Sequence, residues 1–423
     1  MFYFDYKKIN SLLGGLIFFT FFIGFILQEN AAGGGVIDFE HIYHNFLLFK
    51  NFNFFEIPWQ FYRSSTLPLY YLIANLLVPE NPFFLKFFSF IISIFCIFIL
   101  FKNLKLKYNI SKDYSRNLLL ICCLPLLSPY FRTSAFYGLE ENFAYLLLLL
   151  STYFFYSYKK PEYYRYLAIF FSSLAFYGRL NYAFLSIITY FSYFNKKNYF
   201  DKKNITYTVL FLILILPSFY FFFKFNTFSS DVLNKFAFNE RISFKFINIP
   251  VIFSILFFYF VPFFFCNLNF FFKPLKKKHF IFYILSFIIF YLFFINFFEV
   301  NTYKNVGGGL IYKLLFNFNI FNDYLNIKIF LFLFISFIGL YFSICILKRS
   351  INFLFYFFVN VIIFVNLDIV FQEYFDPLFF FIILLYTDLI SKNNLQRFAF
   401  VYFIYSVILL TSSLIHKYYL VII

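Results

Sequence analysis

The stretch IDFEHIYHN gathers Asp38, Glu40, His41 and His44 just past the first long apolar run of the chain. Ionisable residues collected where a helix leaves a bilayer mark a site at the membrane surface. A carboxylate in such a place can act as general base, drawing the proton from a weak nucleophile such as a hydroxyl. Asp38 is the first choice of base and Glu40 the second. On a helix Asp38 and His41 share one face, and Glu40 and His44 another, so His41 is expected to orient a carboxylate or to touch substrate. Two histidines and two carboxylates also permit a metal site. No further ligand pattern surrounds them, and neither a metal nor another cofactor is expected.

A second set of polar residues, Arg63, Arg132, Glu140, Glu141, Arg179 and Lys313, stands between apolar blocks or at their ends. Any one alone reads as a solvated loop charge. As a set on one face, carboxylates and arginines describe a pocket for a phosphate beside a sugar, because a guanidinium matches phosphate oxygens in charge and shape. Arg132 and Arg179 are the expected phosphate ligands, with Arg63 and Lys313 as alternates. Arg179 reads equally as the structural partner of a nearby carboxylate. The glycine triplets at 33–35 and 307–309 fit close approach of backbone to a ligand or, more simply, a mobile loop.

The elements that must position these residues are nearly all apolar. The chain of 423 residues is 63% hydrophobic and 29% aromatic, with 84 Phe, 38 Tyr and 13% charged residues, more rings than a soluble protein of this length can hide. The apolar residues fall in blocks of about 16 to 22, enough to cross roughly 30 Å of hydrocarbon, separated by short Lys- and Asn-rich spacers. The expected fold is therefore all-α, a polytopic bundle of about thirteen spans. Heavy use of Phe, Ile, Lys, Asn and Tyr beside one Trp and one Met reflects AT-rich coding and discounts Phe clusters as functional signals.

The net charge of +16 would suit nucleic acid, but the basic residues sit in short spacers and form no groove or recognition motif, so no nucleic-acid partner is expected. They read as orientation signals. Cys96, Cys122, Cys123, Cys266 and Cys345 all lie in apolar stretches without paired spacing, as expected of free buried thiols. Lys7 and Lys8 precede the first apolar run, but Asp5 and the lack of a small-residue cleavage site favour a retained span.

The first span is expected at 11–27, followed by an external loop at 28–82, a span at 83–101 and, after a basic turn, a span at 118–130. Residues 66–79 are apolar enough to be taken for another span. Counting them would put the spacer after Phe101 and every later basic spacer outside, against the positive-inside rule. With Pro68 near one end and Pro79 at the other, the segment fits an interfacial helix better.

In layout the chain resembles the GT-C superfamily of polytopic glycosyltransferases. Those enzymes follow one span with a long external loop that begins with an acidic motif and carries in-plane helices, matched here by IDFEHIYHN and STLPLYYLI. A second external loop with acidic residues is matched by SPYFRTSAFYGLEENFAYLLLLL, and a short span with a polar turn by LAFYGRLNYAFL. The likeness is nearest to the dolichyl-phosphoglucose-dependent alpha-1,2-glucosyltransferase subgroup. It covers residues 1–195, loop 28–82 included, of one transmembrane domain spanning 1–423. Residues 196–423 form a more variable helical module, in which only VGGGLIYKLL and FQEYFDPL stand out.

The resemblance implies an inverting hexosyltransferase that uses a polyprenyl-phosphate-linked sugar donor. The implied acceptor is a lipid-linked glycan, lipid or protein on the extracytoplasmic face, and the AT-rich coding leads to the expectation of a bacterial plasma membrane. Asp-Phe-Glu stands where many relatives have adjacent acids, leaving the base open between Asp38 and Glu40. A lipid-linked-sugar flippase would instead need charged or helix-breaking residues near the midplane and two related halves. Pro217 and Pro262 have no charged companions, and no internal repeat is visible. An O-antigen-type polymerase would carry its long Arg-bearing external loop later in the chain.

Overall fold

Secondary structure follows the apolar blocks, because backbone in hydrocarbon must satisfy its own hydrogen bonds. The computed structural model describes residues 6–54, 56–58, 61–62, 64, 67–110, 115–157, 161–194, 201–226, 245–272, 277–298, 307–316, 324–348, 350–367 and 369–420. Among these residues the fold is helical and contains no strand. Five helical segments have the length and composition to cross a membrane: Ile9–Ile26, Pro82–Lys107, Asn248–Cys266, Leu325–Leu347 and Leu395–Tyr418. The segments Ala183–Tyr193, Ile281–Ile295 and Ile351–Val365 are apolar but shorter.

The chain divides into two compact units, one of Met1–Phe238 with Tyr402–Ile423 and the other of Asn239–Val401. The last part of the chain rejoins the first unit through contacts that no local pattern announces.

In the first unit, α1 (Tyr6–Ile26) leads to α2 (Gly35–Asn51), α3 (Leu69–Leu77) and α4 (Pro82–Lys107). Phe21 and Phe25 of α1 stack on Phe90 of α4, at 5.3 and 4.4 Å between ring centroids. At 9 residues, α3 is about 14 Å long, too short to cross. Its C-terminal carbonyls are capped from α2, where Lys50 Nζ donates to Asn75 and Val78 at 2.9 Å each.

The segment expected as a straight span over 118–130 is broken. It enters as α5 (Ser115–Cys123), passes through a tight turn at Leu124–Leu127 and leaves as α6 (Pro129–Phe136), with a 72° bend between Leu118–Leu127 and Pro129–Phe136. Pro125 and Pro129 each remove a backbone donor. Ser128 between them caps α6, accepting the Phe131 N–H at 3.1 Å.

Three further helices, α7 (Glu141–Tyr156), α8 (Tyr163–Gly178) and α9 (Ala183–Tyr193), precede α10 (Lys202–Asn226). The seam between α4 and α7 is polar. Asn142 Nδ2 donates to Ser93 Oγ at 2.7 Å and to the Phe131 carbonyl at 2.9 Å, and Asn103 Nδ2 donates to the Leu149 carbonyl at 2.8 Å. Such bonds join membrane helices where the apolar surface of lipid offers no hydrophobic advantage.

The second unit contains α11 (Asn248–Cys266), α12 (Leu268–Phe272), α13 (Lys277–Ile295), α14 (Gly309–Phe316), α15 (Leu325–Leu347), α16 (Ile351–Val365) and α17 (Leu378–Tyr386), then the start of α18 (Leu395–Ile415). Gly339 of α15 meets the Phe253 carbonyl of α11 so closely that no Cβ would fit. Every residue of α17 is buried. The two segments VGGGLIYKLL and FQEYFDPL come together, with the Leu310 N–H donating to Gln372 Oε1 at 2.8 Å and the Gly308 N–H to the Val370 carbonyl at 2.9 Å. Cys96, Cys122, Cys123, Cys266 and Cys345 are free and buried.

Candidate functional site

Asp38 owes its place to the turn between α1 and α2. Gly33 and Gly34 adopt φ of +78° and +73°, a left-handed conformation that glycine takes without strain. A Cβ on Gly34 would also stand 3.3 Å from Asp38 Oδ2. The turn is strapped to α6 and the residue after it: the Ala32 N–H donates to Thr133 Oγ1 at 3.0 Å, and Tyr137 Oη to the Gln28 carbonyl at 2.8 Å. The Gly35 N–H donates to Asn30 Oδ1 at 3.3 Å. Gly35 presses on α6 so tightly that a Cβ would lie 2.7 Å from Thr133 Cγ2. Asp38 therefore falls in the first turn of α2, where the helix dipole favours a negative group.

Glu140 and Glu141 stand at the start of α7, again at a helix N-terminus. Glu140 is buried and accepts from Ser64 Oγ at 3.2 Å. Glu141 accepts from Ser134 Oγ at 3.1 Å and forms a salt bridge with Arg179. Arg179 follows the last residue of α8, and the helices meet at Gly178, where a Cβ would lie 2.5 Å from Ala144 Cβ. That close approach brings the guanidinium to the start of α7. The loop carrying α3 is fastened to the same place, the Leu67 N–H donating to the Tyr177 carbonyl at 3.1 Å and Tyr70 Oη to the Gly138 carbonyl at 2.9 Å.

These elements bring Glu141, Arg179 and His41 within electrostatic reach of Asp38. Asp38 keeps an exposed face, yet enough protein surrounds it that loss of water pushes its carboxyl above the ordinary aspartate value. The charge of Glu141 pushes the same way, while His41 and Arg179 pull it down. A carboxylate with a raised proton affinity is a better general base near neutral pH than an ordinary aspartate.

The remaining sequence-predicted residues fall elsewhere or take other partners. Glu40 is exposed on α2 and makes no hydrogen bond or ion pair with a described residue. His44 Nε2 donates to the Phe61 carbonyl at 3.1 Å, tying α2 to the loop beyond it. Arg132 is 2% exposed; its Nε and Nη2 donate to the two oxygens of Glu29 at 2.7 Å each, and Nη1 and Nη2 also reach the carbonyls of Leu126 and Thr20. Gly24 leaves room for the pair, since a Cβ there would lie 2.5 Å from Arg132 Nη2. Lys313 lies in the second unit on α14, where burial pushes its ammonium below the ordinary lysine value. Arg63 lies outside the described residues. Among the described residues no group of three or more His, Cys, Asp or Glu is placed to hold a metal.

Sequence reasoning passed over Glu29, Ser134 and Lys86. Lys86 Nζ donates to Gln28 Oε1 at 2.6 Å and lies over the rings of Phe39 and Tyr137, 4.5 and 4.9 Å from their centroids. For Glu29 a signal exists: a carboxylate at the exit of the first apolar run needs a cation, and Arg132 sits in a stretch with few other charges.

Long apolar helices, polar seams and an ionisable cluster between helix ends define a helical, multi-pass membrane protein. Comparison with protein-family models, curated proteins and solved structures gives no match.

Proposed function

We propose that this protein is an inverting glycosyltransferase. In this reading it moves a hexose from a polyprenyl-phosphate donor to a lipid-linked glycan, lipid or protein acceptor on the extracytoplasmic face of a bacterial plasma membrane, across which the chain passes about thirteen times. The observation that carries the reading is the convergence of Asp38, Glu141 and Arg179 from three elements far apart in sequence, with Asp38 held at a raised proton affinity.

Asp38 serves as the general base. Its carboxylate takes the acceptor hydroxyl proton as that oxygen attacks the anomeric carbon. The bond from that carbon to the phosphate oxygen breaks, and the lipid phosphate leaves with the electron pair. Direct displacement inverts the anomeric centre. Arg179, whose side chain is 25% exposed and bridges Glu141, supplies the positive charge that meets the charge growing on the leaving phosphate. Arg132, committed to Glu29, holds the turn before α2 rather than the donor.

Transfer from a polyprenyl-phosphate hexose, measured with the Asp38→Asn and Glu40→Gln variants and with donor binding followed separately, tests this assignment. Loss of the base is expected to slow transfer by about 10² to 10⁴ while leaving donor binding intact. Near-normal turnover in Asp38→Asn with loss in Glu40→Gln moves the base to Glu40, and normal turnover in both removes the loop from the mechanism.

A further inference from the structure

The turn that sets the start of α2 is held from a second side by residues nearly 400 positions away. Past Ile415 the helix α18 widens into a π-helical turn, His416–Leu420, a feature found in short pieces and often at functional sites. Tyr418 Oη in that turn accepts the Asn30 N–H at 3.2 Å, across 388 residues of sequence. One turn earlier Ser413 Oγ donates to the Ala31 carbonyl at 2.6 Å. The stem of Lys417 passes beside Gly33, its Cδ 3.9 Å from where a Cβ would sit.

The same stretch is bound from the other side. Asn30 Oδ1 accepts the first amide of α2, and the Ala32 N–H reaches Thr133. Asn30 and Ala31, both buried, are thus held from α18, while Asn30 is tied to the start of α2 and the next residue, Ala32, to α6. Two left-handed glycines separate this stretch from α2, and the bond from the Gly35 N–H to Asn30 Oδ1 spans them, so a shift of Asn30 reaches the start of α2. Glycine in this conformation has no side chain of its own to hold it.

We propose that Tyr418 and Ser413 are positioning residues, which hold Asn30 and Ala31 so that α2 begins at Gly35 and presents Asp38 towards Glu141 and Arg179. The consequence for sugar transfer rests on the function proposed above; the mechanical part stands without it. Displacing a reacting group by about 1 Å costs on the order of 10²-fold in rate, so releasing the clamp lowers kcat and leaves KM for the acceptor nearly unchanged.

The test uses the full chain in lipid vesicles with a nitroxide attached at Val36→Cys, an exposed position in the first turn of α2. The double variant Tyr418→Phe, Ser413→Ala is expected to give a more mobile spectrum and to lose transfer about 10- to 100-fold. The single variant Ser413→Thr, which keeps the hydroxyl, is expected to match the parent in both measurements. An unchanged spectrum in the double variant overturns the clamp. A more mobile spectrum with undiminished transfer overturns the positioning role while leaving the transferase reading intact. If the parent shows no transfer, the transferase reading falls, and the spectrum alone decides whether the clamp holds α2.

Discussion

Arg132 grips Glu29 with Nε and Nη2 at 2.7 Å each, closing a loop of 103 residues between the exit of α1 and the start of α6. The guanidinium is 2% exposed and the carboxylate 16%. At that depth removal of either partner strands a charge.

Glu29→Ala or Arg132→Ala is accordingly expected to destabilise the protein by roughly 3–5 kcal/mol, read as a lower thermal midpoint in detergent. Replacing both partners together, Arg132→Met with Glu29→Gln, should recover much of the loss, because no unpaired charge remains. If the double variant is as unstable as the sum of the singles, the pair acts independently and the fork is not the source of the stability.

Asp38 sets a pH dependence whose sign follows from its neighbours. Its folded proton affinity lies above the ordinary value, so its stabilising contribution is full at low pH and is lost as pH rises through the raised value. Transfer runs the other way, since the base must be free of its proton: the acid limb of the rate profile is expected above the ordinary aspartate value. Glu141→Gln removes a repelling charge and should move that limb to lower pH, while Arg179→Gln removes an attracting one and should move it higher. A limb that stays in place in both variants would assign it to another group.

The contact of Gly178 with Ala144 governs where Arg179 sits. Gly178→Val places a branched side chain where even a Cβ would be 2.5 Å from Ala144 Cβ and 3.2 Å from its Cα, so α8 must move away from α7. The overpacking is expected to cost about 1–3 kcal/mol and to part Arg179 from Glu141, with transfer falling further than stability alone explains. Gly178→Val paired with Ala144→Gly restores space and should restore part of both.

Topology has its own test. The helix α4 has 26 residues and so runs about 39 Å, long enough to put Pro82 and Lys107 on opposite sides of a membrane. The nine residues of α3 do not cross. A membrane-impermeant reagent applied from outside should therefore label a cysteine introduced at Asn53 but not one introduced at Lys105, which should react only from the cytoplasmic side. Labelling of both from one side would show that the segment around α3 crosses.

The parts of this architecture legible in the sequence are those that apolar surroundings make costly. Asp38, Glu141 and Arg179 stand out because charges in so apolar a chain need a reason, and Pro68 with Pro79 marks α3 as short. Partners are another matter. Nothing near Arg132 in sequence names Glu29 as its carboxylate, and nothing near Asn30 names Tyr418. Composition shows which groups need partners, but the fold decides among chemically equivalent candidates. The bend at Ser128 hides for a different reason: Pro125 and Pro129 are plain to see, but the apolar run around them has the average hydropathy of a continuous span.

The five buried thiols give the protein a practical character. Each sits among apolar side chains, out of reach of water-borne reagents as long as the fold holds, so the native chain behaves towards maleimides as though it had no cysteine. A single reporter placed at the surface would then be the site that reacts. Conversely, any slow labelling of the unmodified chain measures how often its interior opens, which makes these thiols a built-in clock for local unfolding.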